Sequence, residues 1–196
     1  MAKGLSEELF EELDAVKFYK EALSEGNLTP DELSALDLYA EGLYAIGKQL
    51  LDEAAFRSEC PDGVTFLRAA SELGHAGALY ELGKLYETGW CLEKNKSEAL
   101  LCFRRAAKKG HVKAGIKMAD LIKDEADADD HVLVEKCLNK AASAGDHDAQ
   151  TRLGMMYVNG DRVAKDVKRG RDLLISAAIS GNTVARIFLP ILFEKA

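Results

Sequence analysis

Apolar residues recur along this chain at helical spacing, and small residues punctuate them. Ala78, Leu82, Gly83 and Tyr86 share one face of a helix, at i, i+4, i+5 and i+8. A second stripe runs through Ala99, Cys102, Phe103, Ala106 and Ala107 and ends at Gly110, a residue suited to the left-handed conformation that closes helices. The same alternation returns with Ala149, Leu153, Gly154 and Tyr157, then Leu173, Leu174, Ala177, Ala178 and Gly181. Earlier, Leu5, Leu9, Leu13, Val16 and Leu23 form an amphipathic stripe over 5–24, broken at Ser24-Glu25-Gly26-Asn27-Leu28. Thr29-Pro30-Asp31-Glu32 then predicts a helix start: Thr29 as N-cap, Pro30 in the first turn and Glu32 three residues after the cap. That helix is expected to run to about residue 54.

The stripes are copies of one another. Gly74, Gly110, Gly145 and Gly181 lie 36, 35 and 36 residues apart, and Gly47, Gly83, Ala119 and Gly154 lie 36, 36 and 35 apart. Two interleaved series at one period predict stacked helix pairs, not a single enzyme-like core. The residue after each glycine of the first series is His75, His111, Asp146 or Asn182, which fits an N-cap opening the next helix. Two copies are irregular. The first has Leu50 where Tyr is usual. The third has Met118-Ala119 and Ile122, and its glycine-free loop, Lys123 to Asp130, is acidic. Residues 182–196 repeat only a first helix, and Pro190 is expected to end or kink it or to start a new short turn.

Ala78–Gly110 and Ala149–Gly181 resemble the Sel1-like repeats, relatives of the tetratricopeptide repeats, with the pattern A-x3-L-G-x2-Y-x2-G-x-G-V-x2-D. Cys91 and Arg162 stand where the second loop glycine is expected, and Asn95 stands for the aspartate. The resemblance implies an all-α, right-handed α/α superhelix of about four helix-pair repeats, near 38–74, 75–110, 111–145 and 146–181. A capping helix and turn at 1–34 would precede the solenoid of 35–196, and the terminal helix at 182–196 would close it.

The resemblance further implies protein–protein interaction. In related repeats the first helix of each pair lines the concave face. Its register places Tyr44, Lys48, Tyr80, Lys84, Ile116, Asp120, Thr151, Met155, Ile187 and Ile191 on that face. Tyr44 and Tyr80, like Lys48 and Lys84, would form a ladder. Each tyrosine is read either as a partner anchor or as packing between helices, and each lysine either as a partner contact or as a solvated side chain. Trp90 is a possible loop contact, or folds back over its hairpin.

Composition narrows the function. The 196 residues carry a formal charge of −7, which disfavours a phosphate-backbone partner. No apolar run approaches the ~20 residues of a membrane span. No secretion signal is read at the start, and Cys60, Cys91, Cys102 and Cys137, with no CxxC, read as reduced thiols of a cytoplasmic protein. Cys91 and Cys102 could meet across one hairpin, but no other repeat carries the pair. His75 and His111 sit one repeat apart, too far to share a metal, and read as caps. Asp124, Glu125, Asp127, Asp129 and Asp130 lack the glycine of a calcium loop. No nucleophilic triad or phosphate loop emerges. Together with this chemistry, the resemblance implies a non-catalytic adaptor or regulator with one protein partner and no cofactor, and the resemblance alone implies a bacterial one. The alternatives are a neutralising (immunity-type) or virulence-associated binder, and a small-ligand or hydrolytic protein using the same groove.

Overall fold

The computed structural model describes residues 15–26, 28–122 and 128–193. The helices are α1 (15–25), α2 (Pro30–Glu53), α3 (Pro61–Glu72), α4 (Ala76–Thr88), α5 (Lys96–Lys108), α6 (Val112–Leu121), α7 (Ala128–Ser143), α8 (His147–Asn159), α9 (Val167–Ile179) and α10 (Thr183–Phe193), with a short 3-10 turn at Arg57–Glu59. No strand occurs among the described residues. Two compact units divide after Ala106.

Local chemistry sets the boundaries. Thr29 and Glu32 form the expected capping box: the Thr29 N–H donates to the Glu32 carboxylate at 2.8 Å, and the Glu32 N–H donates to Thr29 Oγ1 at 3.3 Å. The joints between helix pairs follow one recipe. Ala70, Ala141 and Ala177 carbonyls accept from His75, Asp146 and Asn182 N–H groups at 2.9, 3.0 and 2.9 Å, closing the helices around left-handed Gly74, Gly145 and Gly181. The same three residues then cap the next helix. His75 Nδ1, Asp146 Oδ1 and Asn182 Oδ1 accept from the N–H groups of Ala78, Ala149 and Ala185 at 3.1, 2.9 and 3.0 Å. One residue thus ends one helix and starts another. His111 caps α6 in the same way, from Ala114 at 3.2 Å.

In unit one the core gathers Val16, Leu36, Ala40, Leu43, Leu67, Ala70, Ala78 and Leu82, with α1 lying against α2 through the Tyr19 and Tyr39 rings, 5.5 Å apart. Of the predicted stripe at 5–24, Val16 is buried and Leu23 half-buried; Leu5, Leu9 and Leu13 lie outside the described residues. Gly83 admits the Phe103 ring, whose nearest atom would lie 2.6 Å from an added Cβ, and Phe103 is fully buried there. In unit two, α8 and α9 meet through Gly154 and Gly170. A Cβ on Gly170 would lie 2.6 Å from the Gly154 carbonyl oxygen, an approach that only glycine allows.

Two expectations are corrected. Cys91 bonds to Cys60, not to Cys102, with Cα atoms 5.5 Å apart across 31 residues, so these two are not reduced thiols. Cys60, at the start of α3, and Cys91, in the loop after α4, belong to successive hairpins, a pairing that repeat spacing does not display. The thiol argument for a cytoplasmic location falls with it. Cys102 and Cys137 are free and buried. Of the outcomes expected for Pro190, ending the last helix is overturned: it lies inside α10, at an exposed turn where water can replace the lost donor. The acidic residues Asp124, Glu125 and Asp127 lie outside the described residues; Asp129 and Asp130 fall in the first turn of α7, where acids suit the helix dipole.

Candidate partner-binding site

Unit one contains a cavity of about 330 Å³ built from three helices and a loop. From α2 come Lys48, Leu51 and Asp52, one turn apart on one face; α3 adds Leu67; α4 adds Glu81, Lys84, Leu85 and Thr88; the α4–α5 loop adds Trp90. Leu51, Leu67 and Leu85 make its apolar part, and two lysines and two carboxylates are set around it. The predicted lysines Lys48 and Lys84 thus line one cavity together with Trp90, which is 45% exposed.

The two lysines differ. Lys84 donates to Glu81 at 2.7 Å and stands 5.7 Å from the Tyr80 ring centroid. The Glu81 hydrogen bond raises the Lys84 pKa above its ordinary value, against the opposing effect of burial. Lys48 and Asp52 are exposed. An incoming anion therefore meets Lys48 with its charge available, whereas Lys84 is already matched.

The loop that carries Trp90 is held at three points. Gly89, left-handed at φ 80°, donates to Leu85 O at 2.9 Å; Asn95 donates to Tyr86 O at 2.9 Å and caps α5 through its side chain; and Cys91 is bonded to Cys60. The Trp90 N–H donates to Thr88 Oγ1 at 3.3 Å.

The remaining predicted residues scatter. Tyr44 stacks on His75, centroids 4.5 Å apart, while His75 Nε2 meets Glu41 at 2.7 Å; Tyr80 packs beside Phe103 at 5.7 Å. Neither tyrosine lines the cavity, and both are half-buried in unit one. In unit two Ile116 is half-buried, and Asp120 is paired with Arg152. Thr151 is buried and donates to His147 O at 2.8 Å, which removes it from any open face. Met155 and Ile191 line a second cavity, of about 360 Å³, with Val158, Lys165, Leu174 and Phe188. Ile187 stands 66% exposed outside it.

Sequence reasoning missed the three leucines, Asp52, Glu81 and Thr88. Asp52 and Glu81 were within reach, since they lie four after Lys48 and three before Lys84. The leucines were not, because second-helix and first-helix apolar positions look alike until the helices are packed. Among the described residues no group of three or more His, Cys, Asp or Glu is placed to hold a metal ion, and no helix is long and apolar enough to cross a membrane.

The Sel1 repeat family model matches residues 76–111 and 147–182, the stretches that hold α4 with α5 and α8 with α9. Among solved structures the chain is similar to a Sel1 repeat protein from Oxalobacter formigenes, at 27% identity and a TM-score of 0.64, over 92% of this chain and 72% of that one. It is also similar to the immunity protein Pa5087 from Pseudomonas aeruginosa, at 24% identity and a TM-score of 0.46, over 81% of this chain and 56% of that one. A third is c5321, a protective antigen of uropathogenic Escherichia coli with an SLR fold, at 20% identity and a TM-score of 0.40, over 96% and 51%. The chain spans little more than half the length of the last two. The chain thus carries two Sel1 repeats, at 76–111 and 147–182, and its all-α helix pairs are similar to those of a solved Sel1 repeat protein.

Proposed function

We propose that the chain is a non-catalytic adaptor or regulator that holds a segment of a partner protein in the unit-one cavity. Sel1 repeat proteins generally mediate protein–protein interaction. The observation that carries the reading is the convergence of Lys48, Lys84 and Trp90 on one apolar cavity. An aliphatic or aromatic side chain of the partner enters between Leu51, Leu67 and Leu85, and the Trp90 ring supplies a rigid contact area. An acidic neighbour on the same segment meets Lys48. A neutralising role is the regulator form of this reading, in which the net charge of −7 speeds encounter with a basic partner through another face.

Selection from a displayed peptide library tests the proposal. Wild type should enrich a motif pairing a large apolar residue with a nearby acid, and Trp90→Ala combined with Lys48→Glu should lose it. Equal enrichment by both proteins, or none by either, sinks the reading. A second reading, a small-molecule site, is favoured by the cavity volume, at the lower end of the ~300–1,000 Å³ range of ligand pockets. A metabolite that raises the melting temperature of wild type but not of Trp90→Ala would select it.

A further inference from the structure

We propose that the Cys60–Cys91 disulfide is a redox switch that sets the position of Trp90 and with it the shape of the unit-one cavity. The proposal rests on the docking reading only for its consequence on binding. Cys91 follows Trp90 directly, so the bond fixes the backbone one residue from the cavity wall. Cys91 sits at φ 63° and Arg162 at φ 64° in the matching turn, so the turn sets that angle and the bond's own contribution is to tether the neighbour of Trp90 to the start of α3. The backbone anchors at Gly89 and Asn95 pin the ends of the loop, and inside it Trp90 N–H donates to Thr88 Oγ1 at 3.3 Å and Leu92 N–H to Trp90 O at 2.7 Å, leaving the disulfide as the covalent link to another hairpin. Once the bond is broken, the covalent tether from Cys91 to the start of α3 is gone, and the segment from Trp90 to Leu92 is free to shift between its remaining hydrogen bonds.

The two sulfurs differ in access. Cys60 is 1% exposed, whereas Cys91 is half-buried, so a reducing dithiol reaches Cys91 first. Its thiolate bonds to Cys91 Sγ and breaks the Cys60–Cys91 bond, and the Cys60 thiolate takes up a proton. The second thiol of the reductant then displaces Cys91 as a thiol and closes its own disulfide. Two electrons and two protons pass to the protein, and the dithiol is oxidised. Cys102 and Cys137 do not compete, because burial raises both thiols above their ordinary pKa. The matching loop of unit two has Arg162 at this position, so reduction acts on one loop alone.

Trp90 is the single tryptophan of the chain and reports on its own loop. The experiment measures acrylamide quenching and emission maximum in the oxidised, dithiothreitol-reduced and reoxidised protein, with reduction verified by thiol labelling and helicity followed by circular dichroism. Reduction should raise the quenching constant about twofold and shift emission to the red at unchanged helicity, reversibly. Cys91→Ser should quench like the reduced protein and ignore dithiothreitol, while Cys102→Ser should respond as wild type does. Unchanged quenching after complete reduction overturns the switch. So does loss of helicity on reduction, which would make the bond a staple of the whole unit. Either result leaves the docking reading standing. A clear redox response beside a failed peptide selection sustains the switch and removes the docking reading.

Discussion

The α4–α5 loop and the α8–α9 loop are the same turn tethered in two ways. Gly89 and Gly160 open them at φ 80° and 72°, each with a lysine Cβ, of Lys94 or Lys165, 3.0 Å from where its own Cβ would lie. Asn95 and Asp166 close them, each donating its N–H to a tyrosine carbonyl, of Tyr86 or Tyr157, at 2.9 Å. Between these ends Cys91 and Arg162 both hold φ near 63–64°. There the loops part. Cys91 is bonded to the start of α3, whereas the Arg162 guanidinium donates to the carbonyls of Ile122 at 3.1 Å and Ala119 at 3.4 Å, at the end of α6. Both tethers reach back to the preceding hairpin. The turn is therefore specified by its glycine and its cap, and the middle positions are left to carry the tether and, in one loop, an exposed tryptophan.

The comparison predicts a graded series of losses. Cys91→Ser should cost about 3–4 kcal/mol in urea unfolding under oxidising conditions, from the loop-closure entropy of a 31-residue separation. Reducing conditions should erase that difference. Arg162→Ala should cost about 2 kcal/mol for two charge-assisted hydrogen bonds, and Arg162→Gly should cost less, because glycine relaxes the left-handed backbone. A loss at Arg162 as large as that at Cys91 would break the distinction between a covalent and a polar tether. Gly89→Ala and Gly160→Ala should each cost about 1–2 kcal/mol and agree with one another, since the two openings share one conformation. Unequal losses would show that the loops only look alike. Asn95→Ala and Asp166→Ala should each cost about 1 kcal/mol, the usual value of a lost cap.

The smallest effect concerns pH. Burial raises the thiols of Cys102 in unit one and Cys137 in unit two above 9.0. The unfolded thiols ionise first. Their contribution is complete below 9.0 and declines as pH rises through the folded values. The urea midpoint should fall in that window, by less in Cys102→Ala or Cys137→Ala than in wild type, after correction for the lost packing.

Much of the fold could be read in the sequence because each repeat states its rules locally. Gly74, Gly145 and Gly181 need a left-handed backbone, His75, Asp146 and Asn182 offer a cap, and the Thr29–Glu32 box marks a start. All of these act within six residues of chain. The register that sets Lys48 and Lys84 one repeat apart was legible for the same reason, whereas Trp90 stood out only as a tryptophan in a loop. The Cys60–Cys91 bond was not, since it joins non-equivalent positions of successive hairpins and no period encodes it. Thr151 failed as a surface residue because register says which way a position points but not how closely the next hairpin covers it. Tyr44 and Tyr80 were ambiguous in sequence, and their ring neighbours, His75 and Phe103, become neighbours only after packing.

The double duty of His75, Asp146 and Asn182 has an evolutionary consequence. Where one residue both closes a helix and opens the next, no spare length of chain exists. An inserted or deleted residue there would separate the two tasks and release both helix ends at once. Length change in such a chain must accumulate at the opposite ends of the hairpins, among the turns. The joints act as fixed vertebrae and the turns as the growth zone. A designer wishing to graft a recognition segment onto this protein should open it between Gly89 and Asn95 or between Gly160 and Asp166, and leave every joint untouched.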